Sequence, residues 1–138
     1  MSSYSPGETA EKSGFSIDTL RYYEKIGLLP GIARNASGRR VFSDGDLQWL
    51  GMLRCLRETG MPIAEMLRYS ELARGGDETV RERLELLQDH DQRVEEQIAR
   101  LREQQAQIQW KIRLYSGEIC GEPAAAGAAG EVSEGLPA

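Results

Sequence analysis

Residues 79 to 116 constrain the fold more than any other stretch, because they carry an unbroken heptad pattern. Leu84, Asp91, Ile98, Gln105 and Ile112 fall at position a, and Val80, Leu87, Val94, Leu101, Ile108 and Tyr115 at position d. Nine of these eleven seam positions are apolar and their spacing never slips. That is a narrow coiled-coil seam, not the broad apolar face of a helix in a globular core. Thr79-Val80-Arg81-Glu82 reads as the capping box that opens the helix. At 1.5 Å per residue such a helix extends about 54 Å. One small domain cannot bury so long a seam, so the pattern predicts pairing with a second helix; packing back on the chain's own domain is the alternative. Asp91 and Gln105 are polar seam positions of the kind that fix register.

With 138 residues in all, the chain has room for one small domain besides this rod. Hydrophobic residues make up 40% and charged residues 28%, which suits a soluble folded protein. No run of 18 apolar residues occurs, and Met1-Ser2-Ser3-Tyr4 does not resemble a signal peptide, so a cytoplasmic protein without membrane contact is expected. Two cysteines, Cys55 and Cys120, do not make a disulfide framework in such a chain. The net charge of −5 argues against a nucleic-acid partner until it is divided along the sequence. Residues 19 to 40 hold five basic residues against one acidic, whereas residues 61 to 138 hold nine against fifteen.

That basic stretch has a definite local form. Residues 6 to 12, entered at Pro6, read as a short first helix, and Ser13-Gly14-Phe15-Ser16 as a turn. Ser16 then N-caps a second helix, which Gly27 and Pro30 close, giving helix-turn-helix spacing. Leu20 and Tyr23 can face inward, while Thr19, Arg21, Tyr22 and Lys25 project from the other side. Arginine, hydroxyl and tyrosine groups on one face suit phosphates and base edges of a duplex. Gly31 to Phe42 reads as a small β-hairpin wing that turns at Asn35-Ala36-Ser37-Gly38. Ser43-Asp44-Gly45-Asp46 caps a third helix carrying Leu47, Leu50, Leu53 and Leu56, widened by Trp49 and Met52 and ended by Gly60. Pro62 starts a fourth helix with Ile63, Met66, Leu67 and Leu72, which stops before Gly75-Gly76. Past Gly121 the Ala/Gly/Glu/Pro-rich tail is expected to be disordered. The expected division is a head at 3–74, a dimerisation helix at 79–116 and a tail at 121–138.

The wording of the second helix, Thr19-Leu20-Arg21-Tyr22-Tyr23-Glu24-Lys25-Ile26-Gly27-Leu28-Leu29-Pro30, resembles the recognition helix of the MerR family of bacterial transcription regulators. Tyr4-Ser5-Pro6-Gly7-Glu8-Thr9-Ala10 is similar to the family's first-helix entry. Arg34, Gly38 and Arg40 keep its wing pattern, although Arg39 stands where tyrosine is usual. Phe42 to Leu47 and Gly60-Met61-Pro62-Ile63 match the starts of its third and fourth helices. The resemblance implies a mainly α fold: a winged helix-turn-helix head with a small β-hairpin wing, followed by a long helix in an antiparallel dimeric coiled coil. It implies a homodimer on a pseudo-palindromic promoter with an over-long spacer, which the protein bends and untwists for RNA polymerase. The DNA-binding residues it implies are Ser16, Thr19, Arg21, Tyr22, Tyr23 and Lys25 on the helix and Arg34, Arg39 and Arg40 on the wing. Tyr23 is open between a DNA contact and core packing.

Effector classes can be weighed on the same residues. Drug-sensing members carry a large C-terminal domain, and a chain with an Ala/Gly/Glu/Pro-rich tail so soon after the rod is not expected to be one of them. Soft-metal sensing needs two or three close thiolates. Here Cys120 is alone, Thr79 stands at the start of the rod, and His90 is expected as a solvated flank residue. Leu53-Arg54-Cys55-Leu56-Arg57, with Asp46 to Trp49 and Gly76 to Val80, instead resembles the AdhR/NmlR-like subgroup, associated with aldehydes and other thiol-reactive electrophiles. That resemblance makes Cys55 the effector-sensing residue. Arg54 and Arg57 can favour its thiolate, whereas the helix C-terminus and Glu58 oppose it. A space-filling role for Cys55 stays open, as does a metal or non-thiol effector. An excisionase-like DNA-bending protein and a pure coiled-coil adaptor are the alternatives from other classes. No acid/base pair, nucleotide loop or metal cluster points to an enzyme or a cofactor.

Overall fold

Three helix starts in this chain are each set by a serine side chain. The computed structural model describes residues 2–119. In chain order these form β1 (Ser3–Tyr4), α1 (Pro6–Ser13), α2 (Ile17–Ile26), β2 (Ala33–Arg34), β3 (Arg40–Ser43), α3 (Asp44–Glu58), α4 (Ile63–Arg74), a 3-10 turn (Gly76–Thr79) and α5 (Val80–Tyr115). The tail expected to be disordered at 121–138, and Cys120, lie outside the described residues.

At α1 the Ser5 hydroxyl accepts from the Glu8 amide at 3.1 Å, and the Glu8 carboxylate accepts from the Ser5 amide at 2.9 Å. That reciprocal box satisfies two amides which no helical carbonyl can reach. The Ser5 amide, and then the Ser5 hydroxyl, hold the Glu8 carboxyl below its ordinary range. Ser43 and Asp46 repeat the box at α3, with distances of 3.1 and 2.9 Å. Ser16 caps α2 as expected, accepting from the Thr19 amide at 3.1 Å. Gly14 ends α1 in the left-handed region at φ +81°, and a β-carbon there would also collide with the Arg54 guanidinium. Only glycine meets both demands.

The predicted hairpin forms from β2 and β3, antiparallel in the register Ala33↔Val41 and Arg34↔Arg40. Asn35 turns it: its side-chain oxygen accepts from the Ser37 and Arg39 amides at 2.9 and 3.0 Å. The sheet has a third strand that the sequence did not announce. β1 pairs with β3 through Ser3↔Ser43 and Tyr4↔Phe42, giving the order β1-β3-β2. Two residues are too few to show an alternating pattern. The Tyr4 hydroxyl also donates to Asp44 at 2.7 Å, which ties the N-terminus to the start of α3.

Leu50, Leu53 and Leu56 of α3 are buried at three-residue intervals and form one cluster with Phe15, Leu20, Phe42 and Met66. Packing thus joins α1, α2, α3 and the sheet into a head. The start of the long helix differs from expectation. Thr79 lies in the 3-10 turn and its hydroxyl donates to the Leu72 carbonyl, with Gly76 O at 3.0 Å as a second acceptor. It accepts from Arg83 at 3.2 Å, and Glu82 pairs with Arg68 at 3.3 Å. The predicted capping box is therefore absent. Because the 3-10 turn leads straight into α5, Thr79 is better placed to hold the end of α4.

The head continues into α5 and forms a compact unit ending at His90. Leu86 and Leu87 explain this, since both pack against the head cluster. Leu87, expected in the seam, is thereby partly covered by its own chain. The second unit begins at Asp91. Along it Ile98, Leu101, Ile108, Ile112 and Tyr115 are exposed at their heptad positions.

Candidate nucleic-acid interface

The amphipathic pattern of α2 separates its side chains as the sequence suggests. Leu20 and Tyr23 are buried, and the Tyr23 ring meets Phe15 edge-on at 5.2 Å. Tyr23, which the resemblance implied as a DNA contact and the helix pattern as packing, is thus a core residue: only 3% of it is exposed, against 52% for Tyr22. Ser16, Arg21, Tyr22 and Lys25 are exposed and Thr19 is half-buried. The Ser16 hydroxyl donates to the Thr19 hydroxyl oxygen at 3.0 Å, so the cap also orients the first side chain of the face. Arg21 approaches Asp18 at only 3.9 Å, with both side chains solvated. A pair that loose leaves the guanidinium available.

On the wing the three arginines differ in their surroundings. Arg34 donates to the Gly38 carbonyl at 2.9 Å, closing the hairpin turn from outside. Arg39 is exposed at the tip. Arg40 is half-buried and forms an ion pair with Glu24 of α2. Its charge is neutralised within the head, and the pair braces the wing strand against α2.

One residue of this face escaped the sequence reading. Arg57 lies over the Phe15 ring at 5.7 Å and lines a groove beside α2 with Thr19, Tyr22, Met61 and Ile63, whose floor the buried Tyr23 also reaches. The sequence had assigned it only as a cationic neighbour of Cys55. The signal that could have found it is helical spacing: Arg57 is adjacent to buried Leu56 and one turn from buried Leu53.

Cys55 is exposed on α3. A thiol buried between head and rod is therefore not what the structure contains. Arg54, expected to favour its thiolate, is engaged elsewhere, donating to Glu58 at 2.9 Å and to the Ser13 carbonyl at 3.2 Å. His90 also corrects an expectation. It is 6% exposed, and its Nε2 lies 2.7 Å from the Thr59 hydroxyl. A heptad flank position carries no sign that a neighbouring turn will cover it. Among the described residues no group of three or more His, Cys, Asp or Glu converges as a metal site. No described helix is long and apolar enough to cross a membrane.

Comparison with known proteins places this geometry. Residues 4–71 match the family model of MerR HTH family regulatory proteins, and residues 47–111 match the MerR DNA-binding model. An uncharacterized HTH-type transcriptional regulator of Haemophilus influenzae is 42% identical over 112 residues, 81% of this chain and 83% of that one. The HTH-type transcriptional regulator AdhR of Bacillus subtilis is 37% identical over 87 residues, 63% of this chain and 62% of AdhR. Among solved structures, HiNmlR, described as a MerR family regulator lacking the sensor domain and bound to promoter DNA, superposes with a TM-score of 0.77. It shares 39% identity, and the match covers 94% of this chain and 96% of HiNmlR. An exposed arginine-tyrosine face on the second helix of a helix-turn-helix, a wing braced against it, and these relatives lead to one conclusion: the chain belongs to the MerR family of transcription regulators, which are not enzymes.

Proposed function

We propose that this regulator binds a pseudo-palindromic promoter as a homodimer and activates detoxification genes when an aldehyde or related electrophile modifies Cys55. The observation that carries the DNA-binding part is the free cationic and hydroxyl face of α2, with Ser16, Thr19, Arg21, Tyr22 and Lys25 beside the wing residues Arg34 and Arg39. Arg57, opening onto the groove alongside, is a further phosphate contact. Arg40 acts by holding the wing through Glu24. HiNmlR, so similar in fold, is described as bound to promoter DNA, which supports the same class of partner here.

Dimerisation is inferred from α5. Val80, Leu84, Ile98, Leu101, Ile108, Ile112 and Tyr115 are exposed at heptad positions, a costly apolar stripe unless a second helix covers it. Val94 completes the series, and Leu87 contributes from its partly covered place. An antiparallel pair would set two heads on adjacent major grooves. Bending and untwisting an over-long spacer would then present both promoter elements to RNA polymerase on one face.

An exposed thiol on α3 supports the sensing role. Attack of the Cys55 sulfur on an aldehyde carbon forms a C–S bond as the carbonyl π bond breaks, and the thiol proton ends on the new hydroxyl oxygen. The product is a hemithioacetal, and no oxidant is needed. In-vitro transcription from the regulator's own promoter, with wild type and Cys55→Ser before and after formaldehyde, tests this. Induction in wild type alone supports sensing at Cys55. Equal behaviour of the two proteins removes the thiol from the mechanism while leaving the regulator in place.

A further inference from the structure

We propose that Thr59 and His90 are positioning residues that couple the Cys55 turn of α3 to the root of α5. The inference rests on the reading of Cys55 as the sensing thiol and adds how its modification reaches the rest of the molecule. The Thr59 hydroxyl lies 2.7 Å from the Cys55 carbonyl oxygen and 3.2 Å from that of Leu56, and the Thr59 amide reaches the Cys55 carbonyl at 3.1 Å. A hydroxyl has one proton, and here it goes to an α3 carbonyl. The short contact to His90 Nε2 must then be an N–H donated by the ring. The hydrogen-bond network therefore assigns His90 the Nε2–H tautomer, leaving Nδ1 as a bare acceptor.

That Nδ1 atom is buried and has no hydrogen-bond partner among the described residues. A buried acceptor without a donor is uncommon and marks an arrangement that is not fully satisfied. The ring is held at one nitrogen only, so a turn that lets Nδ1 meet water or another donor competes with the Thr59 bond. Such competition is what a two-state joint requires.

The joint has a lever on its other side. Cys55 and Thr59 are one helical turn apart, with β-carbons about 5–6 Å from each other. Arg54, beside Cys55, donates to the Ser13 carbonyl at the corner between α1 and α2, where Gly14 leaves room for it. One turn of α3 thus grips the helix-turn-helix corner through Arg54 and the base of the long helix through Thr59 and His90. A carbon added to the Cys55 sulfur presses on that turn, shifting both grips together.

Thr59→Val and His90→Leu, with Thr59→Ser and His90→Gln as conservative counterparts, test the joint in the full-length protein. Four readouts are needed: the extent of formaldehyde adduct at Cys55 by intact mass, operator affinity of the unmodified protein, melting temperature, and formaldehyde-induced transcription. Thr59→Val and His90→Leu are expected to form the adduct normally and to bind operator within about twofold of wild type. Their induction ratio is expected to fall about tenfold. Thr59→Ser and His90→Gln keep the hydroxyl and the donor N–H, so both should retain induction. A purely structural role would lower the melting temperature of Thr59→Val and His90→Leu and leave their induction tracking that fall. Wild-type induction in Thr59→Val overturns the joint, and this single-hydroxyl deletion carries the test should His90→Leu fail to fold. Induction that is absent from wild type, or present in Cys55→Ser, overturns the sensing reading itself.

Discussion

Tyr22 and Tyr23 are neighbours in the chain with opposite tasks. Tyr22 is half exposed on the α2 face and Tyr23 is buried against Phe15. Tyr22→Ala is expected to weaken operator binding by about 1–3 kcal/mol while the melting temperature stays near wild type. Tyr23→Ala removes a packed ring and should destabilise the head by about 3–5 kcal/mol, visible as a lower melting temperature before any DNA is added. Equal losses of operator affinity with no change in stability would show that both rings contact DNA. Helical spacing in the sequence already turned Tyr23 inward with Leu20 and Tyr22 to the other side, and only the family resemblance set Tyr23 among the DNA contacts. Glu8 adds a pH effect at this scale. Its carboxyl is lowered by the Ser5 amide and hydroxyl, so its share of stability is full above the unfolded carboxylate pKa and lost as pH falls through the folded one. Glu8→Gln should therefore lower the melting temperature at neutral pH, and the gap to wild type should close on acidification.

At the scale of elements, legibility depended on whether the signal was local. Ser16, Ser43 with Asp46, and the Asn35 turn act within four residues of themselves, and each was readable from composition and spacing. The heptads of α5 were readable for the same reason, since a seam is a property of one helix. What the sequence could not show were contacts between distant elements: β1 on β3, Arg40 on Glu24, and Leu86, Leu87 and His90 on the head. Thr79 failed in an instructive way, because a correct capping pattern was outcompeted by the carbonyls at the end of α4. The seam itself can be tested at Leu101, which is 65% exposed and lies in the second unit, away from the head cluster. Leu101→Glu should leave the head folded, with helix content close to wild type, yet give monomers by analytical ultracentrifugation. A dimer that survives with unchanged affinity would mean that α5 pairs along some other stripe.

At the scale of the whole molecule, the question is how a chain of net charge −5 attracts a polyanion. The head carries the free cations, Arg21, Lys25, Arg39 and Arg57 among them, while acidic residues predominate after residue 61. Phosphate contacts respond to local charge, since salt screens anything beyond about 10 Å at 0.1 M. Salt dependence can separate these cations by role. Each phosphate neutralised adds about −0.9 to the slope of log K against log salt. In the proposed dimer two heads would meet one operator and double the effect, so Arg39→Ala should flatten the slope by about two. Arg57→Ala should do the same if its groove meets the backbone. Arg40→Ala predicts a different result, because its charge is already balanced by Glu24. Losing it should reduce affinity through a loosened wing while leaving the slope within the error of wild type. If Arg40→Ala flattens the slope as Arg39→Ala does, then Arg40 leaves Glu24 for phosphate when the complex forms, and the brace belongs to the free protein alone.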